Sequence, residues 1–285
     1  MTQKLAVAIM HGIGSQRENY ADAFITAIRD AFKRKAEPYI EDPEEAIVIE
    51  PVYWADVFEE DEDRLYRNLV EANDLHYKDL RRFVIHFLAD AIAYQPVETI
   101  EHNYERVHEK VGGTLTSLAE KAGPRAPLCM ISHSLGSVIA ANFLYDLQYR
   151  RERCSFLRED AVPIEKGDTL MLFFTMGSPL PLWSLRYNDF ARPIRIPSPV
   201  LRDFYERAEG QWLNFYDRDD ILGYPLKTLN EEFSKSVTED FEINAGNLLR
   251  NWNPASHYGY LKDKDVIEPI ADQLIRAWQQ VNNYV

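Results

Sequence analysis

Five short apolar runs, separated by longer segments of helical spacing, constrain this chain more than any other feature. Leu5 to Met10, Ala46 to Trp54, Pro127 to Ile131, Thr169 to Met176 and Trp212 to Tyr216 are short, several are rich in β-branched or aromatic residues, and most end in turn-forming residues. They read as strands, with Asp240 to Ile243 as a weaker sixth candidate. Between them Tyr20 to Lys35, Asp61 to Tyr94, Ile100 to Lys121 and Leu135 to Arg150 have the periodicity of helices, and Asp265 to Val281 reads as a closing helix. The alternation implies an α/β protein with a mostly parallel sheet of about six strands. No internal repeat or low-complexity linker is visible, so one domain over residues 1–285 is expected, with the helical segment 57–125 as a candidate cap or lid. Within that segment Phe83, Val84, Phe87, Leu88 and Ala91 form an apolar stripe. The stripe predicts a helix packed on the sheet; the alternative is a lid over a lipid-like substrate.

Charge and cysteine usage narrow the function classes. A net charge of −14 repels nucleic acid and anionic membrane surfaces, which argues against polyanion partners. Acidic runs such as Glu41 to Glu45 and Phe58 to Arg64 read as solvated surface. Two cysteines, Cys129 and Cys154, are too few for a disulfide framework and suit a reducing compartment. The apolar run near the amino terminus is too short to span a bilayer and lacks a signal-peptide cleavage pattern, and no later segment is long enough to span. The expected location is the cytoplasm.

In an open parallel sheet, functional groups collect beyond the carboxyl ends of the strands. The third run ends in Ser132-His133-Ser134-Leu135-Gly136, a variant of the G-x-S-x-G nucleophile elbow with serine in the first glycine's place. A sharp strand-to-helix turn there would lift the Ser134 hydroxyl to a helix amino terminus, where N–H groups and the helix dipole favour developing negative charge. The competing role for Ser134 is a helix N-cap. Ser132 belongs to the strand end, while Ser137, one turn into the helix, is placed to bond back to a carbonyl. The first run ends in His11-Gly12-Ile13-Gly14, so the backbone N–H groups of Ile13 and Leu135 form a candidate oxyanion hole.

A serine nucleophile needs a base, and the base needs an acid. Trp212 to Tyr216 runs into Asp217-Arg218-Asp219-Asp220; Asp220 is the favoured acid, with Asp217 and Asp219 as alternates. His257 is the one histidine after that acid and the candidate base. His133 should point away from the Ser134 hydroxyl, and His76, His86, His102 and His108 read as ordinary helix residues. His11, His133, Trp54, Leu180, Leu182 and Trp183 are the candidate substrate-lining residues, although apolar groups in such positions are more often core.

With HGIG, SHSLG, the Asp220 turn and SHYGY in this order, the chain resembles the α/β-hydrolase superfamily over nearly its whole layout, in particular lipase- and esterase-like bacterial members whose substrates are undefined. The resemblance implies a three-layer α/β/α fold lacking the superfamily's usual first two strands, and a Ser134, Asp220 and His257 triad. It also implies hydrolysis of a small-molecule or lipid-like ester, or a thioester, through an acyl-enzyme, with no metal or organic cofactor. Two other readings stand beside it. One is a non-catalytic binding or scaffold protein on the same fold. The other starts from Asp217 and Asp219, whose setting resembles the DxDx motif of haloacid-dehalogenase-type phosphatases that use Mg²⁺.

Overall fold

The computed structural model of the chain describes residues 2–12, 18–94, 103–186, 192–245, 257 and 259–283, without the side chains of Phe83 and Phe87. Strands β1 (Leu5–Met10), β2 (Ile47–Val52), β3 (Leu128–His133), β4 (Leu170–Met176), β5 (Gln211–Asp217) and β6 (Glu239–Ile243) form one parallel sheet in the order β2-β1-β3-β4-β5-β6. The weak sixth candidate is an edge strand, which explains its polar sequence. In β1, Leu5, Val7 and Ile9 point into one core and Ala6, Ala8 and Met10 into the other. Strands buried on both faces are apolar throughout, which is why β1, β3 and β4 are legible as continuous runs. The first core is closed by helices α1 (Asp22–Ala36) and α8 (Lys264–Val281), and the second by α4 (Asn103–Ala122) and α5 (Leu135–Tyr149). The result is the expected three-layer α/β/α arrangement. Among the described residues no helix is long and apolar enough to cross a membrane.

The segment expected to be helical from Asp61 to Tyr94 is instead a hairpin. Helix α2 (Glu59–Tyr66) widens into a π-helical turn at Arg67–Glu71, and the chain reverses before α3 (Lys78–Ala93). The Asn73 side-chain amide donates to the carbonyls of Asn68 and Leu69, at 3.1 and 3.0 Å, and so caps the first arm. Asp74 and Tyr77 then adopt φ of 45° and 58° and complete the reversal. The packing expected for α3 is also corrected: it lies chiefly against α2, not on the sheet. Val84 and Leu88 face solvent, Ala91 is half-buried, and the polar His86 and Asp90 are buried. His86 is turned inward because its Nδ1 pairs with the Glu62 carboxylate of α2 at 2.6 Å. Two short helices, α6 (Leu180–Trp183) and α7 (Glu231–Ser236), have too few residues to show a periodicity in the sequence.

The strand order positions the site. From β1 the chain first adds β2 on one side and then crosses back to add β3 on the other, so the connections diverge at the carboxyl ends of β1 and β3. Such a switch point opens a crevice. Here it holds the His11-Gly12 turn against Ser134, the residue between β3 and α5. A Cβ on Gly12 would stand 2.6 Å from the Ser134 Cβ, and one on Gly136 would overlap the His11 carbonyl oxygen. In an open helix position Gly→Ala stabilises by about 0.5–1 kcal/mol. At Gly136 the steric term is of opposite sign and larger, so Gly136→Ala should destabilise the fold by about 1–3 kcal/mol in urea denaturation.

Candidate active site

Ser134 has φ 53° and ψ −131°, a region L-residues rarely adopt, at a typical cost of about 1–3 kcal/mol. Its neighbours fix it there. Its N–H donates to the Met176 carbonyl at the end of β4 (2.9 Å), and its carbonyl accepts from the N–H (2.9 Å) and hydroxyl (2.6 Å) of Ser137. The Ser178 hydroxyl in turn lies 2.6 Å from the Ser137 oxygen, and its own oxygen accepts the Leu180 N–H at 3.3 Å. Ser132 lies within β3, where its hydroxyl donates sideways to the Phe174 carbonyl (3.0 Å). A serine in place of the leading elbow glycine is thus accommodated by the neighbouring strand.

The Ser134 side chain makes no N-cap bond to α5. Its Oγ instead lies 2.6 Å from His257 Nε2, and His257 Nδ1 lies 2.9 Å from Asp220 Oδ2. A carboxylate can only accept, so Nδ1 carries the hydrogen and Nε2 is left to accept from the serine hydroxyl. All three side chains are buried. Burial alone would raise the Asp220 carboxyl, but hydrogen bonds from His257, the Leu222 N–H and the Tyr260 hydroxyl outweigh it and hold the group below its ordinary range. The alternate acids are placed elsewhere. Asp217 accepts the Asp219 N–H on one oxygen (2.9 Å) and the Ala245 N–H on the other (2.7 Å), while Asp219 is exposed.

The other histidines near the elbow hold its walls. His133 donates Nε2–H to the His257 carbonyl at 2.6 Å, tying the end of β3 to the His257 backbone. Burial, helped by the neighbouring His257 ring, pushes its pKa down to about 3, so it stays neutral. His11 stacks on Trp54 with ring centroids 4.5 Å apart, donates Nδ1–H to the Gly12 carbonyl (2.6 Å), and accepts the Trp54 N–H on Nε2 (3.3 Å). Its pKa falls to about 4, again through burial. The Trp54 indole N–H returns a bond to the His11 carbonyl (3.2 Å), so Trp54 buttresses the turn.

Of the other candidate lining residues, Leu180 borders a cavity of about 80 Å³ that also touches Ala141, Asn142, Ile194, Trp212 and Phe233. Trp183 is buried, whereas Leu182 is 41% exposed. Of the two candidate oxyanion donors, Leu135 is the first residue of α5, so its N–H has no acceptor within the helix; Ile13 lies outside the described residues, as does His102. His86 and His108 are buried and bonded, the latter through Nε2 to the Tyr94 hydroxyl at 2.8 Å, while His76 lies in the turn before α3. Among the described residues no group of three or more His, Cys, Asp or Glu is arranged to hold a metal ion. No protein-family model and no curated protein sequence matches the chain.

One residue of the site escaped the sequence reading. The Tyr260 hydroxyl donates to Asp220 Oδ2 and accepts the Asp217 N–H, both at 2.9 Å, and so joins Asp220 to the end of β5. Its only sequence signal is its place three residues after His257. Because the folded-state pKa of Asp220 is depressed, its stabilisation is present above the unfolded pKa and is lost as pH falls through the folded value. Tyr260→Phe removes one of the bonds responsible. The variant should lose about 1–3 kcal/mol at neutral pH. Urea titrations should show the gap to the parent protein narrowing once Asp220 is protonated.

Proposed function

We propose that the chain is a serine hydrolase that cleaves a carboxylic ester or thioester through an acyl-enzyme, with Ser134 as nucleophile, His257 as base and Asp220 as the acid that orients it. The observation that carries this reading is the continuous chain of short bonds from Ser134 Oγ through both His257 nitrogens to Asp220. A helix cap or a structural serine has no use for a base on its hydroxyl, still less for one oriented by a buried carboxylate.

In the proposed cycle Ser134 Oγ attacks the acyl carbon while its proton passes to His257 Nε2. Asp220 retains the Nδ1–H bond and stabilises the imidazolium without becoming protonated. Negative charge on the former carbonyl oxygen falls at the amino terminus of α5, beside the Leu135 N–H, with the Ile13 N–H as the proposed second donor. Collapse of this intermediate breaks the bond to the alcohol or thiol, which takes its proton from His257. Water then repeats the sequence on the acyl-enzyme, releasing the carboxylic acid and restoring the Ser134 hydroxyl. The acid end of the triad is preset, so rate should depend on Asp220 far more than on Asp217 or Asp219.

The test is steady-state hydrolysis of p-nitrophenyl esters of graded acyl length. Ser134→Ala should lower kcat/KM by about 10³-fold or more. Asp220→Asn, which favours the wrong His257 tautomer, should lower kcat by a similar order. Asp219→Asn should leave both constants near the parent values. Ester hydrolysis that survives Ser134→Ala, or a Mg²⁺-dependent phosphatase activity that does, would replace this reading.

A further inference from the structure

The cavity of about 80 Å³ that Leu180 borders has a wall with chemistry of its own. Asn142, Asp146 and Arg150 line it at a spacing of four, so they stand in a row on one face of α5 and its carboxyl-terminal cap. Asp146 is twelve residues beyond Ser134, about 18 Å along the helix, so this polar wall is remote from the Ser134 hydroxyl. The floor is apolar, made by the buried side chains of Leu180, Ile194, Trp212 and Phe233. At the mouth stand Arg150, half-buried, and Arg192, exposed.

The polar groups of this wall are not matched by one another. The Asn142 side-chain nitrogen is buried and has no hydrogen-bond partner among the described residues. Such a donor costs about 1–3 kcal/mol unless something accepts from it. One turn further on, the Asp146 carboxylate is 4% exposed and accepts the Tyr104 hydroxyl at 2.8 Å. Among the described residues no cation is bonded to it. The His108 Nδ1, 3.9 Å away, belongs to a ring that burial holds neutral by pushing its pKa down to about 3. The Arg150 guanidinium is turned over the Tyr145 ring, 5.2 Å from its centroid, and that of Arg192 lies 3.8 Å over the Tyr149 ring. Neither arginine has an ion pair among the described residues. Burial raises the Asp146 carboxyl above its ordinary range, against the Tyr104 bond and the Arg150 charge, so the carboxylate gains from any further cation. Opposite charges thus line one cavity without pairing.

We infer that this cavity binds a small apolar α-amino acid as its zwitterion, at a site separate from the Ser134 hydroxyl. The ligand ammonium donates to Asp146, its carboxylate accepts from Asn142 Nδ2 and from the arginines at the mouth, and its side chain enters the apolar floor. An α-amino acid carries both charges on one carbon, which suits partners one helical turn apart, with Cβ atoms about 5–6 Å from each other. A simple carboxylate would leave Asp146 without a cation, and a simple amine would leave Asn142 and both arginines without an acceptor. Volume sets the side chain. An apolar cavity of about 150 Å³ holds benzene, so one of about half that size suits the branched side chain of valine or leucine.

Isothermal titration calorimetry of the full chain with L-valine and L-leucine tests this directly. Both should bind at one site per chain. Isovalerate, which is valine without its ammonium, isobutylamine, which is valine without its carboxylate, and glycine, which has no side chain, should each bind at least about tenfold more weakly. Asp146→Asn should weaken L-valine binding by about tenfold or more. Should that variant fail to fold, Arg192→Gln at the exposed mouth gives the same reading through the carboxylate, with a severalfold loss. Three results overturn the proposal: neither amino acid binds at concentrations up to about 10 mM, a range in which affinities are already weaker than −4 kcal/mol; isovalerate or isobutylamine binds as tightly as L-valine; or binding of L-valine is indifferent to both Asp146→Asn and Arg192→Gln.

Discussion

The contact between the His11-Gly12 turn and the strand-to-helix turn at Ser134 is the constraint on which the rest of the site depends. It exists because β1 and β3 are neighbours in the sheet while their connections run in opposite directions. It is close enough that neither Gly12 nor Gly136 has room for a Cβ. Ser134 is held in a disfavoured conformation by three hydrogen bonds to its backbone, one to the Met176 carbonyl and two from the N–H and hydroxyl of Ser137, and each is worth roughly 0.5–1.5 kcal/mol. Their sum is of the same order as the strain, so the elbow persists without weakening the fold.

Burial then divides the three histidines around this contact. His11 and His133 are enclosed, are bonded to backbone groups through both ring nitrogens and through Nε2 respectively, and are held neutral, so they act as struts. His257 is the one whose ring nitrogens meet side chains of opposite function, a hydroxyl on one side and a depressed carboxylate on the other. Its carbonyl is fixed by His133, and the Asp220 carboxylate that it meets is fixed by Tyr260 and the Leu222 N–H. Positioning of His257 is therefore distributed over β3, β5 and the chain that follows it.

Much of this was legible in the sequence, for physical reasons that differ by element. β1, β3 and β4 are buried on both faces, so nothing polar interrupts their runs. The pentapeptide around Ser134 and the aspartate after β5 fall at the carboxyl ends of strands, where topology concentrates chemistry. The choice of Asp220 over Asp217 could not be made with the same force, because both are buried and only the direction of each carboxylate separates them. Tyr260 was invisible because a bond between side chains 40 residues apart leaves no periodicity. The α2–α3 hairpin misled for a related reason: the apolar spacing of Val84 and Leu88 is the same whether the stripe faces a core or solvent. The His86–Glu62 pair that decides between them lies across 24 residues of sequence.

Covalent modification of the folded protein by a fluorophosphonate, with the adduct mapped by peptide mass spectrometry, tests the central claim most directly. A base-activated hydroxyl beside an oxyanion site predicts one adduct, on Ser134, formed in native protein and absent after urea denaturation. Folded protein that stays unmodified, or an adduct on Ser132, Ser137 or Ser178 in its place, would contradict it.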